Sequence, residues 1–117
     1  VTLNERLLKK LEISDGAIPF DDWYSCLKDK KTRAVIAARL LRIQSGNLGD
    51  AKPIGGGVFE FRVHFGPGYR IYFGEVNNTL VVLLGGGDKS TQSRDIKMAI
   101  ALWERYSHEI EKYLRDL

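Results

Sequence analysis

Three basic side chains and one acid fall at spacings that could hold a phosphate. Residues 58–65, VFEFRVHF, alternate in character, with Glu60, Arg62 and His64 on one side and Phe59, Phe61, Val63 and Phe65 on the other. After Gly66-Pro67-Gly68 the stretch YRIYFGEV alternates again, setting Arg70 and Tyr72 against Tyr69, Ile71 and Phe73. Period-two alternation marks half-buried strands, and the glycine-rich link marks a hairpin. Read with a three-residue loop, the hairpin faces Phe65 with Tyr69, Val63 with Ile71, Phe61 with Phe73, His64 with Arg70 and Arg62 with Tyr72. Arg62 and Arg70 are then diagonal neighbours, about 7–8 Å apart. Two guanidinium groups and an imidazole on one patch repel each other unless an anion joins them. Glu60 can neutralise one charge, and arginine's planar fork matches a phosphate. A solvated sheet face, with arginines lying over aromatic rings, is the plain alternative.

Residues 83–96, LLGGGDKSTQSRDI, add a second feature. An apolar strand runs into three glycines, a lysine and hydroxyls, then a helix start. It is not a nucleotide P-loop, because that pattern needs glycine where this chain has Leu83 and Asp88. A helix N-terminus does attract anions. Gly85, Gly86 and Gly87 would allow close backbone approach, and Ser90, Thr91 or Ser93 could cap the helix. If this strand pairs beside YRIYFGEV, Lys89 arrives at the same sheet edge as the arginines, with Lys52 as a fourth possible cation. Asp88 and Asp95 suggest a metal only faintly, since no cluster with ligand spacing accompanies them.

These residues need elements to hold them. A chain of 117 residues with 44% hydrophobic and 28% charged residues suits one folded domain over residues 1–117. The net charge of +3 leans weakly towards an anionic partner. LLKKLEI reads as a strand. IPFDDWYSCLKDKK and TRAVIAARLLRIQSGN read as two short helices joined near residues 29–32. TLVVLLGG, apolar throughout, reads as a strand covered on both faces, completing a three-stranded antiparallel meander. Ile96, Ala99, Ile100, Trp103, Ile110, Tyr113 and Leu117 form one stripe of a long final helix. The expected fold class is therefore α+β: N-terminal strand, helical hairpin, antiparallel meander and long C-terminal helix. The single cysteine, Cys26, sits among Trp23, Tyr24 and Leu27 and reads as a buried packing residue in a reducing, cytoplasmic setting. No run of 18 apolar residues marks a membrane span, and the first ten residues lack a signal peptide's apolar stretch. His108 reads as a surface residue of the last helix, and KDKK at 28–31 as a solvated helix end.

From about residue 13 to 106 the chain resembles the RelE/ParE toxin superfamily, nearest its HigB-like branch of addiction module killer proteins. GNLGD with KP, then GPGYRIYF, then GGGDKSTQ with DI carry the resemblance together. It implies a RelE-like fold and the toxin of a type II toxin–antitoxin system. Such a toxin is a ribosome-dependent endoribonuclease that cuts messenger RNA and inhibits translation, with no cofactor and no metal. The implied partners are a cognate helix-turn-helix antitoxin of the HigA-like kind, the ribosome and mRNA; oligomeric state is left open. Arg70 of GYR matches the arginine set against the scissile phosphate, Lys89 falls in the basic segment after the last strand, and Arg62 matches a basic position on the preceding strand. Glu60 stands where some RNA-cutting relatives carry lysine, and is assigned a share in proton handling. Lys52, His64, Tyr72, Gln92 and Arg94 are the expected substrate contacts. The alternatives are a ParE-like DNA gyrase poison without nuclease activity, and a remnant acting only as its antitoxin's partner on the operon.

Overall fold

A computed structural model describes residues 5–116. The N-terminal strand forms as β1 (Leu7–Lys10), followed by helices α1 (Pro19–Ser25) and α2 (Lys30–Gln44). Four antiparallel strands follow: β2 (Ala51–Gly55), β3 (Val58–Val63), β4 (Tyr69–Val76) and β5 (Leu80–Asp88). A short 3-10 turn (Lys89–Thr91) leads into α3 (Gln92–Arg115). The sheet order is β1-β5-β4-β3-β2, with β1 parallel to β5. The chain is an α+β protein. The meander has one strand more than predicted, because Ala51–Gly55, containing a proline and ending in glycine, gave no alternating signal.

Helices cover both faces of the sheet. On one face Phe20 of α1 and Ile36 and Ile43 of α2 bury against Phe61, Val63, Ile71, Phe73, Val81 and Leu83. On the other, Ala99 and Trp103 of α3 bury against Val58, Tyr72, Val76, Leu80, Val82 and Leu84. This is why β5 is apolar without alternation: both its sides are core. Ile96, Ile100 and Ile110 join the α3 stripe as predicted, with Leu102, Tyr106 and Leu114 beside them. Tyr113 does not; it is 65% exposed. Leu117 lies outside the described residues.

α1 opens on Pro19 at its first turn, where a missing N–H costs nothing. Asp29 caps α2, accepting from the Thr32 hydroxyl and the Lys31 N–H, and these bonds, the Thr32 one foremost, hold its carboxyl below the usual range. The two helices are therefore joined at residues 26–29, slightly earlier than predicted. Cys26 is exposed, contrary to the packing reading, with its Sγ donating to the Asp22 carbonyl at 3.2 Å. At a helix C-terminus the side chain turns back to the preceding backbone, while Phe20 alone of that helix is buried.

Two irregularities set the site. The β3–β4 loop spans residues 64–68, not three residues, so Val63 faces Tyr69, Phe61 faces Ile71 and Arg62 faces Arg70. Gly66 and Gly68 both have positive φ, and the turn they make draws His64 and Phe65 out of the ladder. The predicted pairing is displaced by two residues, which keeps every side chain on its expected face. In β5, Tyr72 pairs with Gly85 but Phe73 with Leu83, so Leu84 is an extra residue. This bulge inverts the alternation beyond it.

Among the described residues no helix is long and apolar enough to cross a membrane. Trp103 closes the core so tightly over Gly74 that a β-carbon there would lie 2.5 Å from its ring. Gly74→Ala should lower stability by about 1–3 kcal/mol in urea denaturation. Trp103→Phe in the same chain should recover part of that loss, and strict additivity would show that the two do not meet.

Candidate active site

The polar side of the hairpin is built around a carboxylate removed from water. Lys52, Glu60, Tyr72 and Gly85 align across four strands on the α3 face. Glu60 is fully buried. Its Oε2 accepts from the Tyr72 hydroxyl at 3.2 Å and from Gln92 Nε2 at 2.9 Å, and its Oε1 accepts from Arg62 Nε at 3.3 Å. Arg70 Nε lies 3.6 Å from Oε2, held by charge rather than by a hydrogen bond. Burial first, and the neighbouring Glu60 charge second, push the Tyr72 hydroxyl well above its ordinary value of 10.0.

In front of this anion the cations gather. Arg70 is buried, and its Nη1 donates to the Gly68 carbonyl at 2.7 Å. Arg62, opposite it, keeps its side chain 39% exposed. A cavity of about 220 Å³ is lined by Arg62, His64, Arg70 and Lys89 with Val63, Gly68 and Tyr69. Gly68 is the hinge of the arrangement. A β-carbon there would sit 3.4 Å from Arg70 Nη1 and 3.9 Å from Lys89 Cβ, and its φ of +83° suits only glycine well. Arg70 and Lys89 therefore face the same space, as the pattern of strands predicted.

Lys89 reaches the cavity because Asp88 turns the chain. Asp88 accepts from the Ser90 N–H at 2.8 Å and from the Ser90 hydroxyl, while its own N–H donates to Thr91 Oγ1. This reciprocal cap places Asp88, not a serine, at the helix entrance, with Thr91 answering it. The Ser90 hydrogen bonds are the main cause that holds the Asp88 carboxyl below 3.8, and Arg70's charge adds to it.

Several predicted roles change. Gly85, Gly86 and Gly87 belong to β5 and do not cradle an anion. A β-carbon at Gly86 would strike the Trp23 indole, and one at Gly87 would strike the Asp95 carboxylate. These glycines admit side chains of α1 and α3. Tyr72 is buried and cannot stack on a base. Glu60, enclosed by four polar partners, cannot exchange protons with a ligand and instead anchors the arginines. Gln92 serves the same anchor. Arg94 points elsewhere: it sits 3.7 Å from Asp95 and lines a separate cavity with Ser90, Ser93 and Lys97. Lys52 is exposed on β2 and does not line the cationic cavity. Asp88 and Asp95 are engaged with Ser90 and Thr91, and the described residues hold no cluster of three or more metal-ligating side chains. The sequence reading missed Asp50, whose Oδ1 stands 3.8 Å from His64 Nε2; a turn residue just before an unrecognised strand carried no signal.

The fold and cavity define an α+β protein that presents cations from three chain segments to one small space. No described family's sequence pattern matches the chain, and no solved structure matches it. An uncharacterized protein of Haemophilus influenzae (strain ATCC 51907 / DSM 11121 / KW20 / Rd) is 51% identical over 82 residues, covering 70% of this chain and 83% of that protein. The chain belongs to the same family as that protein.

Removing the buried carboxylate should be costly. Glu60→Gln leaves Arg70 without its counter-charge and should destabilise the fold by about 3–5 kcal/mol. Glu60→Leu with Arg70→Met should cost far less, as read by urea denaturation. The Asp88 cap has its own signature in acid. Because its folded carboxyl titrates below the ordinary 3.8, its stabilisation is full above that ordinary value and is lost as pH falls from there through the lower folded one. Wild type and Asp88→Asn should thus differ in thermal midpoint at neutral pH, and the difference should shrink as the pH is taken below the ordinary carboxylate range.

Proposed function

We propose that this protein is the toxin of a type II toxin–antitoxin system, a ribosome-dependent endoribonuclease that cuts messenger RNA in the cytoplasm without a metal. The observation that carries this reading is the convergence of Arg62, His64, Arg70 and Lys89 on one cavity of about 220 Å³. The GPGYRIYF and GGGDKSTQ motifs supply the rest of its support. A helix-turn-helix antitoxin is the proposed partner that silences it.

RNA cleavage needs an aligned 2′-oxygen and a sink for the charge that builds on phosphorus. In the proposed reaction the 2′-oxygen bonds to phosphorus and the bond from phosphorus to O5′ breaks. The products are a 2′,3′-cyclic phosphate and a 5′-hydroxyl. Arg70, immobilised by Gly68 and Glu60, stabilises the phosphorane. Lys89, exposed at the cavity wall, adds a mobile charge, and Arg62 orients the phosphate. A fixed guanidinium has little reorganisation left to do during reaction, which is what makes electrostatic catalysis effective.

The test is induction of the protein alone in bacterial cells, followed by purified cleavage on programmed ribosomes with and without a chelator. Translation arrest, transcripts ending in 2′,3′-cyclic phosphate and indifference to the chelator are expected. Lys89→Ala, a surface change, should lower the cleavage rate by about 10²–10³-fold while circular dichroism stays unchanged. Arg70→Ala should abolish cleavage in whatever fraction folds. An SOS response with intact transcripts would mean a gyrase poison instead, and the absence of any growth defect would mean neither.

A further inference from the structure

The cationic cluster is assigned to stabilise charge and Glu60 behind it is enclosed, so the 2′-hydroxyl proton needs its own acceptor on the cavity wall. We propose that His64 is that base and that Asp50 sets its tautomer, an assignment that rests on the nuclease reading above. Three observations place the pair. His64 lines the cavity together with Arg62, Arg70 and Lys89. It stands on the β3–β4 loop with its side chain 72% exposed, so nothing in the fold holds it there for packing. Its Nε2 lies 3.8 Å from Asp50 Oδ1, within ion-pair range and a short movement from a hydrogen bond.

Asp50 is not there by drift. The Arg62 N–H donates to the Asp50 carbonyl at 3.2 Å, so the backbone pairing that carries Arg62 also carries Asp50 to the imidazole. With Nε2–H turned to a carboxylate, Nδ1 keeps the free lone pair, which is the nitrogen able to accept a proton. The proton leaves the 2′-hydroxyl for Nδ1 as the 2′-oxygen closes on phosphorus. The departing O5′ takes a proton from water, and the imidazolium returns its own to solvent. The charged and titratable groups around this imidazole are Asp50 from the turn before β2, Arg62 from β3, Tyr69 and Arg70 from β4, and Lys89 after β5. Asp50 is a positioning residue in this scheme, since it acts through His64.

The measurement is single-turnover cleavage on programmed ribosomes across about pH 5–8, the range in which imidazole titrates. The wild-type rate should rise through that range. His64→Gln should lower it by roughly 10²-fold or more and flatten the profile, with thermal stability and ribosome binding unchanged. Added imidazole should restore cleavage to His64→Gly, because the site is open. Asp50→Asn should cost less than His64→Gln and add nothing further once residue 64 is already Gln, as expected of a residue that acts through His64. If His64→Gln cuts at the wild-type rate with the same profile while Lys89→Ala remains impaired, the assignment of His64 is overturned and the nuclease reading stands. If the wild type itself binds ribosomes and cuts nothing, both fall.

Discussion

A buried negative charge governs this molecule. Glu60 sits on the α3 side of the sheet with no access to water, and a carboxylate so placed must be met by donors or counter-charge. Its partners come from β3, β4 and α3: Arg62 beside it, Arg70 and Tyr72 across the hairpin, Gln92 from the first turn of the helix. One side chain thus fastens the helix N-terminus to the hairpin. The geometry of both follows from satisfying it.

The same anchor explains why two arginines can lie directly opposite each other on neighbouring strands. Like charges in that position repel, and here the repulsion is answered from below by Glu60. Arg70 is drawn in and immobilised between that carboxylate and the Gly68 carbonyl, whereas Arg62 keeps its head partly in solvent. Stability and charge presentation come from one cluster. A change that loosens the anchor loosens the cavity wall with it.

The bulge at Leu84 has an equally specific consequence. By reversing the alternation of β5, it turns Gly86 towards α1 and Gly87 towards α3. Trp23 and Asp95 occupy the space those glycines leave. α3 can therefore start close to the sheet, with Asp88 capping the turn and Lys89 emerging beside Gly68. The glycine run is a packing device, and the cavity it helps to form lies one strand away.

Much of this was legible from residues alone. Alternation in residues 58–65 and 69–76 determined which side chains share a face, and that face held when the register moved by two, because the shift was even. The unbroken apolar run of β5 announced a strand covered on both sides, and the stripe of Ile96, Ala99, Ile100 and Trp103 announced the helix covering one of them. The meeting of Arg70 with Lys89 followed from pairing those strands. What the sequence left open was decided by contacts distant along the chain. Exposure of Glu60 or Tyr72 cannot be read from alternation, which separates faces but not the end of a strand lying under a helix from the end in water. Nor could alternation locate Asp50, Leu84's bulge or the capping role of Asp88. Those positions depend on backbone conformation and on where α3 comes to rest, and both are settled only when the two cores close on the sheet.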